Sequence, residues 1–179
     1  MIREFASSLR RFRKSESGHA TIEFVMVFPA MLFLLLSGVE LGMISLQHAM
    51  LERAMDITVR DIRLGTGNVP QHDDIKDLLC KRAGFISNCS DNMLLEMVVM
   101  DPRDWTGISG TASCTDKAEE VIPKVEFRND ASENELMVLR ACAKIDPIFP
   151  TTGLGKGLVK DGAGQFALVS TSVFVQEPR

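Results

Sequence analysis

The amino-acid sequence predicts an α+β protein in which a long N-terminal transmembrane helix runs on as an amphipathic helix packed against a small antiparallel β-sheet. Three observations carry that reading. Residues 24–39 contain no charged side chain; Leu51, Ala54, Met55, Val59 and Ile62 recur at spacings that share one helical face; and several later segments alternate apolar and polar residues. These are the patterns of an all-round apolar helix, a 3.6-residue period and a two-residue period.

The first element is a membrane span. From Phe24 to Leu46, only Glu40 interrupts the apolar run. At about 1.5 Å per residue these 23 residues reach roughly 34 Å, enough for a hydrocarbon core of about 30 Å. A cleaved secretory signal has an apolar stretch of only about 7–15 residues and ends in a small-residue site. Ser37-Gly38-Val39 is a poor version of that site. A retained span over residues 24–46 is therefore expected, ahead of a secreted protein cleaved near Val39. Pro29 should bend the helix. Glu40, costly at mid-bilayer, is expected near the outer interface or against a partner helix. Residues 1–17 are net +3, whereas residues 47–63 balance Arg53, Arg60 and Arg63 against Glu52, Asp56 and Asp61. That asymmetry keeps the N-terminus in the cytoplasm.

Beyond Leu46 the helix becomes amphipathic, with Glu52, Arg53, Asp56, Arg60 and Arg63 opposite the apolar stripe. Gly65-Thr66-Gly67-Asn68 and Pro70 supply the stop signals that end it. The organisation predicted is a basic leader over residues 1–18, a long helix over 19–64 and an α+β head over 65–179.

Within the head, Asp73-Asp74 should cap a short helix over roughly 74–83, terminated by Gly84. Met93 to Met100 is an apolar run of strand length. Val125 and Phe127 flank Glu126; Met137, Leu139, Ala141, Ala143 and Ile145 alternate with Val138, Arg140, Cys142 and Lys144; and Ala167, Val169, Thr171, Val173 and Val175 alternate in the last segment. Four short strands are expected, with the apolar face covering the amphipathic half of the long helix.

All four cysteines, Cys80, Cys89, Cys114 and Cys142, fall beyond the span. An even count favours two disulfides in an oxidising compartment, with three pairings open. Cys80 at a helix end and Cys89 before a strand are separated by a loop containing Gly84, which favours Cys80–Cys89 and hence Cys114–Cys142. No pair shows C-x-x-C spacing and no histidine lies near one, which speaks against zinc. Disulfide use of Cys89 also outweighs the formal glycosylation sequon Asn88-Cys89-Ser90.

Other chemistry is sparse. His19, His48 and His72 are scattered, and His72-Asp73-Asp74 reads as a helix start. Gly153-Leu154-Gly155-Lys156-Gly157 lacks both the hydroxyl residue after lysine and the preceding strand of a phosphate-binding loop, so a flexible surface loop is expected. No nucleophile–histidine–carboxylate set stands out. No cofactor or metal is called for, and the chain reads as no enzyme. Without the leader the remainder is net acidic by seven charges, which excludes the basic footprint of a nucleic-acid binder.

The informative constellation lies at the inner edge of the span. The basic leader ends at Gly18, and His19-Ala20-Thr21-Ile22-Glu23-Phe24 leads into the apolar helix. This resembles the leader of class III and type IV-like prepilins, in which a membrane aspartyl peptidase cuts after the glycine and the fifth residue of the mature chain is glutamate. Cleavage after Gly18 would expose the α-amine of His19. Glu23, one helical turn on, could neutralise that amine or a neighbouring subunit's.

The string from Gly18 through Phe28-Pro29, with Gly38-Val39-Glu40, resembles the opening of TadE-like proteins, minor pseudopilins of the tight-adherence (Tad, Flp) pilus system. A cysteine pair before the first strand and the Glu177-Pro178 ending are similar in layout. Phe24 replaces the tyrosine of major Flp pilins, and the head is too large for one; TadG-like proteins are much longer, and TadF-like proteins stay open. The resemblance implies a single-pass bacterial inner-membrane protein with a periplasmic head. Its implied partners are the prepilin peptidase, other pilus subunits, the inner-membrane assembly platform and membrane lipid. The competing reading is a signal-anchored periplasmic binding or enzymatic domain, for which Gly18 and Glu23 are accidental.

Overall fold

A single helix carries the chain from the apolar run into the head. In the computed structural model, which describes residues 19–64, 70–103, 109–116, 121–127 and 134–176, α1 spans His19–Leu64 and continues through Pro29. Every residue from Thr21 to Leu35 is exposed. The helix contains a window of mean hydropathy 2.2, none of it buried, and is long and apolar enough to cross a membrane. The second half behaves differently. Leu51, Ala54, Met55, Val59 and Ile62 are buried while Glu52, Arg53, Asp56, Arg60 and Arg63 stay exposed. Each large apolar side chain so buried contributes about 1.5–3 kcal/mol, which fastens the lower-propensity stretches of the head to α1. The leader and the Gly65–Asn68 stop signals lie outside the described residues.

The next helix, α2 (His72–Ala83), starts two residues earlier than the sequence suggests. The reason is that Asp74 acts from inside the first turn: the Gln71 N–H donates to Asp74 Oδ2 at 3.0 Å, the return half of a capping box. Gly84, at φ +65°, closes the helix in the left-handed conformation that suits glycine, and its N–H donates to Cys80 O at 3.2 Å. Ile75, Leu79 and Ala83 face inward. Arg82 pairs with Asp61 and donates to Thr58 Oγ1 at 3.1 Å, tying α2 to α1.

A one-turn helix, α3 (Cys89–Asn92), leads into β1 (Met93–Met100), followed by β2 (Glu135–Ile145), the short α4 (Gly153–Gly157) and β3 (Phe166–Gln176). The sheet order is β1-β2-β3, antiparallel throughout, with Leu95 opposite Ala141 and Leu139 opposite Ser172. Its inner face (Met93, Leu95, Met97, Met137, Leu139, Ala141, Ala143, Phe166, Leu168 and Phe174) joins the stripes of α1 and α2 in one core. The α+β class, with a long apolar N-terminal helix and a small antiparallel sheet, is as the sequence predicts.

Two details differ. Among the described residues the sheet has three strands, and the fourth expected segment makes only a single parallel bridge, Val125 with Met97. The Met97 N–H donates to Lys124 O and the Glu126 N–H to Met97 O, but the next amide, that of Val99, donates to the Glu126 side chain at 2.9 Å. A side-chain carboxylate thus takes the donor that a continuing ladder would need, and on the other side the Leu95 carbonyl accepts from His72. The facing of β3 is also inverted. Phe166, Leu168 and Phe174 are buried, while Val169, Val173 and Val175 are 36–50% exposed. Both alternations of this segment mix apolar residues with hydroxyl ones, and the one with the larger apolar side chains faces the core because it removes more surface from water.

Candidate functional site

The predicted processing residues stand at the N-terminal end of α1. Gly18 lies outside the described residues; His19 begins α1, and Glu23 follows one turn later on an exposed position. Phe24 and Phe28, stacked with ring centroids 4.9 Å apart, lie on the next turns. An acidic side chain thus sits on the first turns of a helix that is otherwise apolar as far as Glu40.

A second acid on the same helix is built into the protein. Glu40 is 2% exposed, and its carboxylate accepts the Ile148 N–H at 3.1 Å and the Phe149 N–H at 2.9 Å. Two charge-assisted bonds from the head, more than 100 residues away in sequence, satisfy what would otherwise be a buried lone charge. An intramolecular partner thus satisfies this residue without a partner helix, and placement near the outer interface is compatible with it.

That contact exists because α4 approaches closely. A Cβ on Gly155 would overlap the carbonyl oxygen of Phe149 and come within 3.6 Å of Glu40 Cδ; one on Gly153 would overlap Ser37 Oγ and come within 3.8 Å of Phe33. The expected flexible loop is therefore a glycine-lined helical turn docked on α1, and Lys160 closes it by donating to Pro150 O at 2.9 Å and Gly155 O at 2.8 Å. Sequence reasoning missed this site. The usable signal was the glycine spacing itself, which permits a backbone to approach an acid stranded in an apolar helix.

The loop is anchored at its far end too. Lys144 on β2 donates to Asp161 Oδ2 at 2.9 Å, and the Ala163 and Gln165 amides donate to Asp161 Oδ1 at 3.0 and 2.9 Å. Desolvation acts upward on the Asp161 carboxyl, but the Lys144 ammonium and the two amides outweigh it and hold the group below its ordinary value of 3.8.

The cysteines form two bonds, Cys80–Cys89 and Cys114–Cys142. The first joins the end of α2 to α3; the second pins the segment before residue 116 onto the outer face of β2. Beside it, Glu96 and Arg140, 8% and 13% exposed, approach to 3.7 Å, and Arg140 also donates to the carbonyls of Ser109 and Thr111. Among the described residues, no group of three or more histidine, cysteine or acidic side chains is placed to hold a metal ion. His72 donates instead to Leu95 O at 2.9 Å, and His48 to Val169 O at 3.1 Å, so these imidazoles join helices to the sheet.

Comparison with known proteins adds one finding. No curated protein and no solved structure matches the chain. The family model described as TadE-like protein matches residues 18–60, from the glycine before α1 to beyond the midpoint of the amphipathic stripe. Across that segment, which holds both Glu23 and Glu40, the chain is similar to TadE-like proteins.

Proposed function

We propose that the protein is a minor pseudopilin that takes part in assembling Flp-type (Tad) pili, which serve adhesion and surface colonisation. In this reading α1 anchors it in the bacterial inner membrane, with the N-terminus cytoplasmic and the disulfide-bonded head periplasmic. A prepilin peptidase removes residues 1–18 by cutting after Gly18. The protein is a substrate of that enzyme and works with other Tad subunits and the assembly platform. The observation that carries the reading is the TadE-like match opening at Gly18 and running through Glu23 and the apolar helix. A basic arm, a cleavable glycine and an acid one turn into a span fit a chain that is released from its leader and then packed beside other helices.

The expected mature N-terminus is His19. N-terminal sequencing of protein from cells with and without the peptidase checks it, and Gly18→Ala should leave a form larger by about 2 kDa, at roughly 110 Da per residue. A start at Met1 in peptidase-competent cells would return weight to a signal-anchored periplasmic domain; one near Leu41 would point to a secreted protein.

A further inference from the structure

We propose that the head segment Ile148–Val159 rests in the headgroup layer of the bilayer that α1 crosses, so that the hydrocarbon ends near Ser37 and not at Leu46. The inference depends on the reading of α1 as a membrane span and adds to it the surface on which the head sits.

The depth of the segment follows from its contacts. Gly153 lies against Phe33 and Ser37, and the Ile148 and Phe149 amides bond to Glu40. Between Phe33 and Glu40 the helix rises only about 10 Å, so α4 is fixed to a narrow level of α1 by contacts that leave no room for a side chain. At that level the hydrocarbon has to stop. Thr151, Thr152 and Lys156 are exposed beside the docked turn, and lipid-exposed irregular backbone is not tolerated in a hydrocarbon core.

The remaining helix has the right length. From His19 to Leu36 it rises roughly 27 Å, close to the core thickness of about 30 Å. Every described side chain from Thr21 to Leu35 is exposed, so lipid can surround this part on all sides. The surface presented at its upper edge is amphipathic: Ile148 is 46% and Val159 93% exposed, with the exposed cation of Lys156 between them in sequence. Apolar side chains that dip between lipids and a lysine that reaches phosphate are what a headgroup layer accommodates.

The test uses the full chain in nanodiscs of phosphatidylethanolamine and phosphatidylglycerol, with single spin labels at Val27→Cys, Leu46→Cys, Ile148→Cys, Val159→Cys and Ser109→Cys attached after the native disulfides have formed. All five positions except Ile148 are well exposed, so the labels need not disturb packing. Collision rates with oxygen and with a water-soluble nickel chelate report depth. The expected result is a lipid signature at residue 27, an aqueous one at 46 and 109, and an interfacial one, several-fold less accessible to nickel than residue 109, at 148 and 159. Aqueous signatures at 148 and 159 with residue 27 still in lipid would overturn the headgroup contact and leave the span intact. A lipid signature at 46 would overturn the boundary. An aqueous signature at 27 would overturn the span and the proposal together.

Discussion

Glu40 shows what a single residue can conceal. Its sequence context, an acid in an apolar helix, marked it as needing a partner, but the partner is a pair of backbone amides, which no side-chain pattern in the sequence marks. Glu40→Ala should leave the Ile148 and Phe149 amides unpaired and destabilise the head by roughly 2–6 kcal/mol, at about 1–3 kcal/mol for each orphaned buried group. Glu40→Gln, which keeps one acceptor oxygen, should cost less. Hydrogen exchange at residues 148 and 149 in the detergent-solubilised protein checks this; unchanged protection in Glu40→Ala would show that the two bonds do not hold the loop. Asp161 makes the complementary prediction in pH. Its carboxyl is held below the ordinary value of 3.8, so the unfolded chain binds the proton more readily than the folded one. The stabilisation is complete above that ordinary value and is lost as pH falls through the lower folded value. Acid unfolding of Asp161→Asn should therefore lack this component, and the wild type and variant should converge in stability at the acid end of a denaturation series.

At the scale of elements, legibility followed the strength of the periodicity. The buried stripe of α1 could be read residue by residue because its opposite face is charged, and β1 could be bounded because, Glu96 apart, it is an unbroken apolar run between polar neighbours. β3 offered no such contrast: Phe166, Leu168 and Phe174 compete with Val169, Val173 and Val175, and only volume against α1 decides between them. α4 could not be read at all from periodicity, since a five-residue turn with three glycines has no helical propensity; its docking on Ser37 and Glu40 creates it. A paired substitution tests that account. Gly157 has open space where a Cβ would be, whereas a Cβ on Gly155 would overlap the Phe149 carbonyl. Gly157→Ala should be neutral or stabilise by up to about 1 kcal/mol, and Gly155→Ala should displace the turn and destabilise by about 1–3 kcal/mol, as overpacking does. Equal thermal midpoints for the two variants would show that α4 is not seated by close approach.

Over the whole molecule, the apolar half of α1 carries two acids, Glu23 and Glu40, with opposite allegiances. Glu40 is held by its own chain, and the bonds that hold it fix the head relative to α1. The two disulfides add to that rigidity: with sequence separations of 9 and 28, they stabilise by about 3 and 4 kcal/mol on the chain-entropy account, useful for a protein whose aromatic content is only 6%. A head so fixed can be moved as one body when α1 moves, and α1 exposes its apolar face from Thr21 to Leu35 for lipid or neighbouring helices. Glu23, at the other end of that face, is the acid we assign to assembly through the α-amine of His19 or of a neighbouring subunit. If Glu23 serves only at the interface, Glu23→Gln should be silent, because glutamine is isosteric and cheaper to place in lipid. If it pairs with an α-amine, the variant loses a charge-assisted bond of roughly 1.5–3 kcal/mol per contact and leaves an ammonium uncompensated at the membrane edge. Glu23→Gln should therefore insert, lose its leader and accumulate at wild-type levels, because the amine that Glu23 would pair with exists only after cleavage, yet fail to support piliation. The defect should be independent of head stability, which distinguishes it from that of Glu40→Ala, where the loss begins with the loop on α1. Piliation counted by electron microscopy, alongside immunoblots for leader cleavage, checks both halves; normal surface pili in Glu23→Gln cells would remove the pairing and with it the strongest residue-level support for a pseudopilin.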